Sequence, residues 1–297
     1  MIHWLCTEQL LSALAKPRES GAHCLYFRGN ERKVAITVLE ISKNKFMNAT
    51  NLKILAIVLM ACDHIHQMWA FNGAPMWLTY LGRLVFPMFL FAMADSFHYT
   101  QNRKKLMLRL LIASWFMTIL NFALAMLLPN DNIVLMNNAF STFFVTTLYM
   151  LFWDLIIDGI KQKSFKKTIG GVLLCFVPVL AAIPLLMVTG MESPPLWLVR
   201  VLLLIPNVFT VEGGFALVLL GVLFYIFRRW RLAQILVLAA FSALQFIVDP
   251  SSPQWMMIFA AIPIFLYNGE KGRGMKNFFY IFYPAHIYLL YIIATLT

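Results

Sequence analysis

Charged residues are scarce in this chain of 297 residues, because Asp, Glu, Lys and Arg together make up only 12% of it. Soluble domains usually carry about twice that share. Hydrophobic residues make up 61%, and the mean hydropathy is +0.76. A soluble fold cannot bury this much apolar surface. The composition therefore excludes an ordinary soluble domain, and repeated runs of roughly 20 apolar residues indicate a polytopic helical membrane protein.

Cysteine is also scarce, and its spacing excludes two kinds of site. The four cysteines, Cys6, Cys24, Cys62 and Cys175, show neither CxxC spacing nor a Cys/His zinc pattern. We therefore expect no disulfide framework and no metal cofactor. The apolar runs are continuous rather than alternating, which excludes an outer-membrane barrel.

The first 46 residues differ from the rest, because they are polar, mixed in charge and without a spanning pattern. They contain no apolar core followed by a small-residue cleavage site, so a signal peptide is not predicted. Met47 is followed directly by Asn-Ala-Thr-Asn and an apolar run. We expect 47–297 to form one integral membrane domain. Residues 1–46 would be either a disordered cytoplasmic leader or an over-extended start.

Nine apolar segments have spanning or near-spanning length. They are 51–70, 77–98, 106–128, 139–160, 168–190, 213–228, 231–248, 255–268 and 276–296. A further apolar stretch, 194–211, is interrupted by Arg200 and Pro206. We therefore predict an all-α polytopic membrane protein with about nine to ten transmembrane helices, one of them interrupted or re-entrant.

The distribution of basic residues predicts the orientation. Basic clusters occur at 103–105, 161–167, 228–231 and 271–276, and the loops between them are neutral or acidic. By the positive-inside rule these clusters face the cytoplasm, and they do so together only if 194–211 does not cross fully. The net charge of +11 is thus explained without nucleic acid. We expect a bacterial inner-membrane protein with a cytoplasmic N-terminus.

Asp63, His64 and Arg83 lie inside the first two predicted spans. Ionisable groups in hydrocarbon are costly and mark functional sites. A rise of about 1.5 Å per residue places His64 and Arg83 at similar depth in the outer half. Adjacent residues on a helix point about 100° apart, so Asp63 and His64 cannot form a dyad. We expect Asp63 to face His66 or Arg83.

His64 then needs an orienting partner from another helix, and Glu212 or Tyr283 are the candidates. Further polar residues lie near the same depth or at the outer mouths of spans. We predict a substrate pocket lined by His66, Asn138, Glu212, Tyr283 and His286.

The inner ends of the spans carry a cationic rim. Its predicted members are Lys53, Arg103, Lys104, Lys105, Arg109 and Lys276. Lys53 precedes His64 by about three helical turns, which places the two on nearly the same face roughly 16 Å apart. This spacing suits coenzyme A, with its phosphates at the rim and its thioester near His64.

Four segments identify a family resemblance. LKILAIVLMACDHIH, LGRLVFPMFLFAMADSFHYTQNRKK, VEGGFALVLLGVLFYIFRR and FLYNGEKGRGMKNFFYIFYPAHIYLLY occur in this order within residues 50–296. Together they resemble the TraX family, whose named function is N-terminal acetylation of conjugative pilin. The family is also distantly similar to membrane acyltransferases that modify extracytoplasmic sugars with cytosolic acyl-CoA.

The resemblance implies roles for particular residues. The Asp-His motif falls on Asp63 and His64, the arginine before Phe-Pro falls on Arg83, and Tyr-Pro-x-His runs from Tyr283 to His286. We therefore expect an acetyltransferase that uses acetyl-CoA, with His64 as general base or as acetyl carrier. Val211-Glu212-Gly213-Gly214 departs from the sequence expected of pilin-modifying members, so the acceptor, a surface glycan or a protein N-terminus, stays open.

Two other functions fit the same residues. A transporter or flippase could use intramembrane Asp, His and Arg as a substrate or proton path. An assembly factor for a surface appendage would need no chemistry of its own. Binding or slow hydrolysis of acetyl-CoA distinguishes the enzyme from both.

Overall fold

A computed structural model describes residues 47–297, apart from the side chain of Lys276. The predictions for residues 1–46 and for the Lys276 side chain lie outside the described residues. The all-α class is confirmed over this range, where the β structure is limited to one isolated bridge between Met47 and Tyr267.

Residues 47–297 form α-helices, numbered here α1 to α13 in chain order, and one 3₁₀ helix. They are α1 Ala49–Trp69, α2 Trp77–Gly82, α3 Val85–Tyr99, α4 Arg103–Leu127, α5 Ala139–Lys161, α6 Phe165–Leu174, α7 Val177–Leu180, α8 Ile183–Thr189, α9 Leu196–Leu202, α10 Gly214–Ile226, α11 Arg231–Val248, the 3₁₀ helix Pro253–Ala260, α12 Ala261–Leu266 and α13 Lys276–Leu296.

Prolines divide two of the predicted spans. A proline has no N–H for the carbonyl four residues earlier, and its ring crowds that carbonyl. Pro178 and Pro184 lie four residues after the last residues of α6 and α7. Pro87 lies four residues after Arg83, where α2 gives way to α3. The predicted spans 77–98 and 168–190 are therefore segmented helices.

Six helical stretches within 47–297 are long and apolar enough to cross a membrane. They are Trp77–Tyr99, Arg103–Leu127, Ala139–Lys161, Phe165–Thr189, Arg231–Val248 and Asn277–Leu296. Gly214–Ile226 and Pro253–Leu266 are apolar but shorter. α1 has 21 residues but contains charged and imidazole side chains. The predicted count of nine to ten crossings is thus not confirmed.

The stretch 194–211 contains a single helix, α9, of seven residues. Such a helix is about 10 Å long, far short of the roughly 30 Å hydrocarbon core. Residues 203–213 after it are irregular.

The packed core surrounds a cavity. α1 packs against α2, α3 and α13, while α10 packs against α3 and α5. Large aromatic side chains such as Phe91, Phe224 and Tyr291 are fully buried there. By contrast, α6 to α9 present many exposed apolar side chains, as expected for a surface that contacts lipid.

Candidate functional site

A single cavity of about 960 Å³ contains much of the predicted site. This volume lies at the upper end of the range typical of small-molecule sites. Asp63, His64 and Arg83 all line its wall, and so do Lys53 and Arg109 from the predicted rim. The structure therefore brings the three predicted catalytic residues and part of the cationic rim to the wall of one cavity.

Asp63 forms an ion pair with Arg83, one of the two partners expected for it from the sequence. Nη2 of Arg83 lies 2.9 Å from Oδ1 and 3.2 Å from Oδ2 of Asp63. Nη1 donates to Oε1 of Gln254 at 3.1 Å, and Nε donates to the carbonyl of Thr79 at 3.3 Å. These bonds neutralise the carboxylate and fix the guanidinium in one orientation.

Local chain features make room for this pair. A Cβ atom at Gly82 would overlap the Asp63 carboxyl group, so glycine is needed where α2 approaches α1. Arg83 lies at the break between α2 and α3, which Pro87 causes. Glycine and the break together let the guanidinium reach Asp63.

The orienting partner of His64 is His286. Nδ1 of His64 lies 2.7 Å from Nε2 of His286, and the two ring planes are inclined by 25°. Nδ1 of His286 lies 2.7 Å from the Phe282 carbonyl oxygen, which can only accept. The predicted partners, Glu212 and Tyr283, do not hold this position.

This chain of contacts fixes the tautomers of the neutral rings. His286 must carry its proton on Nδ1 to donate to the carbonyl, so its Nε2 accepts. His64 therefore donates from Nδ1, and the lone pair remains on its Nε2. This is the arrangement that a general base requires.

The unprotonated nitrogen of His64 is in hydrogen-bond contact with an amide pair that sequence reasoning did not assign to the site. Nδ2 of Asn137 lies 3.4 Å from Nε2 of His64. Asn137 and Gln67 exchange two side-chain hydrogen bonds of 3.0 Å. Gln67 lies three residues after His64 and so shares its helical face, the signal that could have identified it.

Glu212 and Tyr283 form a second polar group on the cavity wall. The Tyr283 hydroxyl accepts from the Ala139 N–H at 2.9 Å and donates to Oε2 of Glu212 at 3.4 Å. The same carboxylate oxygen accepts from the Asn138 N–H at 2.9 Å. Burial raises the pKa of Glu212 to about 7. This carboxyl group can therefore be either neutral or charged near neutral pH.

The other predicted pocket residues do not line the cavity. Nδ1 of His66 lies 2.8 Å from the Thr79 hydroxyl. The side chain of Asn138 caps the start of α5 by accepting from the Ser141 N–H. His286 lies behind His64 rather than on the wall. Of the five predicted pocket residues, Glu212 and Tyr283 thus face the space that a substrate would occupy.

The predicted cationic residues also differ in whether they line the cavity. Arg103 donates to Oδ2 of Asp154 at 2.6 Å, and the Tyr225 hydroxyl donates to the same oxygen. This group holds α4, α5 and α10 together and lies apart from the cavity. Lys104 and Lys105 are exposed and do not line it either.

Two further cations line the cavity, Lys271 and Arg273. The sequence shows them in the basic cluster 271–276, of which only Lys276 is among the predicted rim residues. With Lys53 and Arg109 they form a group of four basic residues on the cavity wall in addition to Arg83, and this group is called here the mouth cations.

Comparison with known proteins gives the same family as the motifs. The sequence model of the family described as "TraX protein" matches residues 48–294. A relative named "Probable fimbrial assembly protein FimC, serogroup H1", from Dichelobacter nodosus, is 27% identical over 266 residues, which cover 84% of this chain and 97% of the relative. No solved structure matches the chain. Because the family match spans most of the chain, this protein belongs to the TraX family.

Proposed function

We propose that this protein is an integral membrane acetyltransferase of the bacterial inner membrane. It would transfer an acetyl group from cytosolic acetyl-CoA to an amine or hydroxyl of an extracytoplasmic glycan or protein. The observation that carries the proposal is the cavity, whose wall includes both the mouth cations and a histidine whose unprotonated nitrogen is fixed by its neighbours.

His64 acts as the general base. Its Nε2 takes the proton of the acceptor N–H or O–H while the acceptor atom bonds to the acetyl carbonyl carbon. The C–S bond then breaks, and the protonated imidazole returns its proton to the departing thiolate. Positioned proton transfer of this kind contributes about 10²–10⁴-fold in rate.

Arg83 stabilises the oxyanion that forms on the thioester carbonyl. A guanidinium has five N–H donors. Nε and Nη2 are committed to Thr79 and Asp63, and one N–H of Nη1 is committed to Gln254. One N–H of Nη1 is left for the substrate. A preorganised donor of this kind typically contributes 10²–10³-fold to kcat.

The apolar middle of the cavity holds the arm of coenzyme A, between the cations and His64. Apolar side chains such as Ile57, Met60, Phe86 and Phe89 line that middle part. Lys53 and His64 lie on one helix, so a ligand along α1 extends from the cations to the base.

In the membrane we propose nine crossings, with α9 lying at the interface and the N-terminus inside. The three additional crossings are α1, Gly214–Ile226 and Pro253–Leu266. The alternation of basic and neutral loops supports this arrangement. Reporter fusions at 191–193 and 249–254 should report the outside, and a cytoplasmic report from either loop would overturn the topology.

The histidine pair favours an enzyme over a proton-coupled transporter. The chain from His64 through His286 ends on the Phe282 main-chain carbonyl. A main-chain carbonyl accepts a hydrogen bond but does not carry a proton onward. The pair therefore orients the base and does not relay protons.

Cells with and without the gene test the function. Surface glycans and secreted proteins should differ by the mass of one acetyl group on a discrete species. The difference should return with the wild-type gene and fail to return with His64→Ala produced at equal level. His98→Ala is the matched control, because His98 is an exposed histidine near the end of α3 and does not line the cavity. Equal acetylation in all strains would overturn the proposal.

A further inference from the structure

The connection between α12 and α13 carries two of the mouth cations. Residues 268–275, with the sequence NGEKGRGM, form this connection and are called here the mouth loop. Gly269 and Gly272 have φ angles of 84° and 67°, in the left-handed region that glycine adopts readily. Lys271 and Arg273 line the cavity, whereas Glu270 does not.

Main-chain contacts fasten the mouth loop to the start of α1. The Ala49 N–H donates to the Glu270 carbonyl at 2.8 Å. The Thr50 hydroxyl donates to the Arg273 carbonyl at 2.6 Å and lies 3.2 Å from the Lys271 carbonyl. Because the carbonyls are held in this way, the two basic side chains remain available to the cavity.

Gly272 is where the loop comes closest to α1. A Cβ atom there would lie 2.5 Å from Oδ1 of Asn48 and 2.8 Å from the Thr50 hydroxyl oxygen. Its positive φ would also strain any larger residue. The close fit requires glycine, which fixes where the loop places its side chains.

The mouth cations are not neutralised by the protein. The described part of the chain forms two ion pairs, Asp63–Arg83 and Arg103–Asp154, and neither involves a mouth cation. Glu270 accepts from the Asn268 side chain at 3.1 Å, away from the cavity. Asp95 is the carboxylate that lines this region, and it accepts from the Tyr267 hydroxyl at 2.8 Å. In this part of the cavity the four mouth cations therefore outnumber the single carboxylate of Asp95.

We propose that the mouth loop is a phosphate-binding loop, in which Lys271 and Arg273 hold the phosphates of a nucleotide together with Lys53 and Arg109. Arginine and lysine are the side chains that bind phosphate in proteins. The proposal rests on the acetyl-CoA function and adds the subsite and its residues. A cavity that continues inward to His64 suits a soluble nucleotide better than a lipid headgroup at the membrane surface.

Binding of coenzyme A and of ADP to the full chain in phosphatidylcholine nanodiscs tests the loop. Lys271→Gln combined with Arg273→Gln should weaken coenzyme A binding by about tenfold or more, since a hydrogen bond to a charged group is worth about that factor. Lys161→Gln combined with Lys166→Gln, in another exposed basic segment, should bind as the wild type does.

A second pair of variants tests the anchoring without changing a charge. Thr50→Val removes the hydroxyl that holds the loop, and Thr50→Ser keeps it. We expect weaker coenzyme A binding for the valine variant and unchanged binding for the serine variant. A structural role unconnected with the ligand would leave both affinities unchanged.

The possible outcomes distinguish a failure of the phosphate-binding loop from a failure of the acetyltransferase function. If the wild type binds coenzyme A and the loop variants bind it equally well, the phosphate-binding loop is overturned and the acetyltransferase stands. If binding depends on the loop for ADP and no binding of coenzyme A is seen, the result supports the phosphate site and overturns the acetyl-CoA-dependent function. No binding of either nucleotide overturns both. If the loop variants lose retention of phosphatidylglycerol but not of nucleotide, the ligand is a lipid headgroup and the proposal is overturned.

Discussion

At the scale of single residues, the proposed base chemistry depends on which nitrogen of His64 is unprotonated. The Phe282 carbonyl fixes His286, and His286 fixes His64. The 2.7 Å contact between Nδ1 of His64 and Nε2 of His286 thus assigns the lone pair of His64 to its Nε2 without reference to any substrate. The stacked ring of Phe282 on the far side of His286 adds to this orientation.

His286→Ala should therefore impair the chemical step. Without its partner, the His64 ring can rotate and its tautomer is no longer fixed, so kcat for acetyl transfer should fall by about tenfold or more. The KM for acetyl-CoA should change little, because His286 does not line the cavity. Steady-state kinetics would check this. A rise in KM with kcat unchanged would show that His286 acts in binding and not in positioning the base.

Glu212 predicts a pH dependence of stability. Its pKa rises from an ordinary value of 4.5 to about 7 because of burial. The folded state therefore binds this proton more tightly than the unfolded state, and the stabilisation is fully present below about pH 4.5 and lost as the pH rises through 7. Thermal unfolding of Glu212→Gln in detergent should show a smaller loss between pH 5 and pH 8 than the wild type. Equal losses would mean that the carboxyl titrates normally.

The sequence predicted one residue-scale contact correctly and missed another for a physical reason. Asp63 and Arg83 lie on consecutive helical segments joined by a short loop, so the sequence could name Arg83 as one of two expected partners of Asp63. His64 and His286 are 222 positions apart. Which face of α13 meets α1 depends on packing that no local pattern contains.

At the scale of elements, prolines and glycines decide how the site helices are shaped. The segmentation of Trp77–Tyr99 and Phe165–Thr189 follows from the position of each proline four residues beyond a break. The sequence alone could have predicted these breaks, whereas hydropathy averages over them. At the site, the break between α2 and α3 places Arg83 outside the regular helix and next to Asp63.

Gly82→Ala tests that local shape. The added methyl group overlaps the Asp63 carboxyl, and overpacking of this kind typically lowers the free energy of unfolding by about 1–3 kcal/mol. Exposed fractions of 29% and 22% for the Arg83 and Asp63 side chains place the expected loss at the lower end. Gly170→Ala is the control, since no atom lies within 4 Å of its Cβ position.

The two glycine variants should differ in their midpoints of thermal unfolding. Alanine is favoured over glycine within a helix by roughly 1 kcal/mol, so Gly170→Ala should leave the midpoint of thermal unfolding unchanged or raise it. Gly82→Ala should lower that midpoint in detergent and also reduce acetyl transfer. A Gly82→Ala protein as stable and active as the wild type would contradict the packing described at Asp63.

At the scale of the whole molecule, one cavity includes both the mouth cations and His64. Composition predicted the all-helical membrane class, and motifs predicted the family. The full set of residues that line the cavity was beyond sequence reasoning, because the cavity is formed by helices that meet only in the folded bundle. Three predicted rim residues show this limit of sequence-based prediction. Arg103, Lys104 and Lys105 are basic like Lys53 but do not line the cavity.

The measurement that tests the central claim most directly uses purified wild-type and His64→Ala protein with acetyl-CoA labelled in the acetyl group. Both should bind acetyl-CoA, because the phosphates are held at the mouth cations. The wild type should release or transfer labelled acetate, and His64→Ala should do so at a rate lower by about 10²-fold or more. Equal rates for the two proteins would contradict the assignment of His64 as the base.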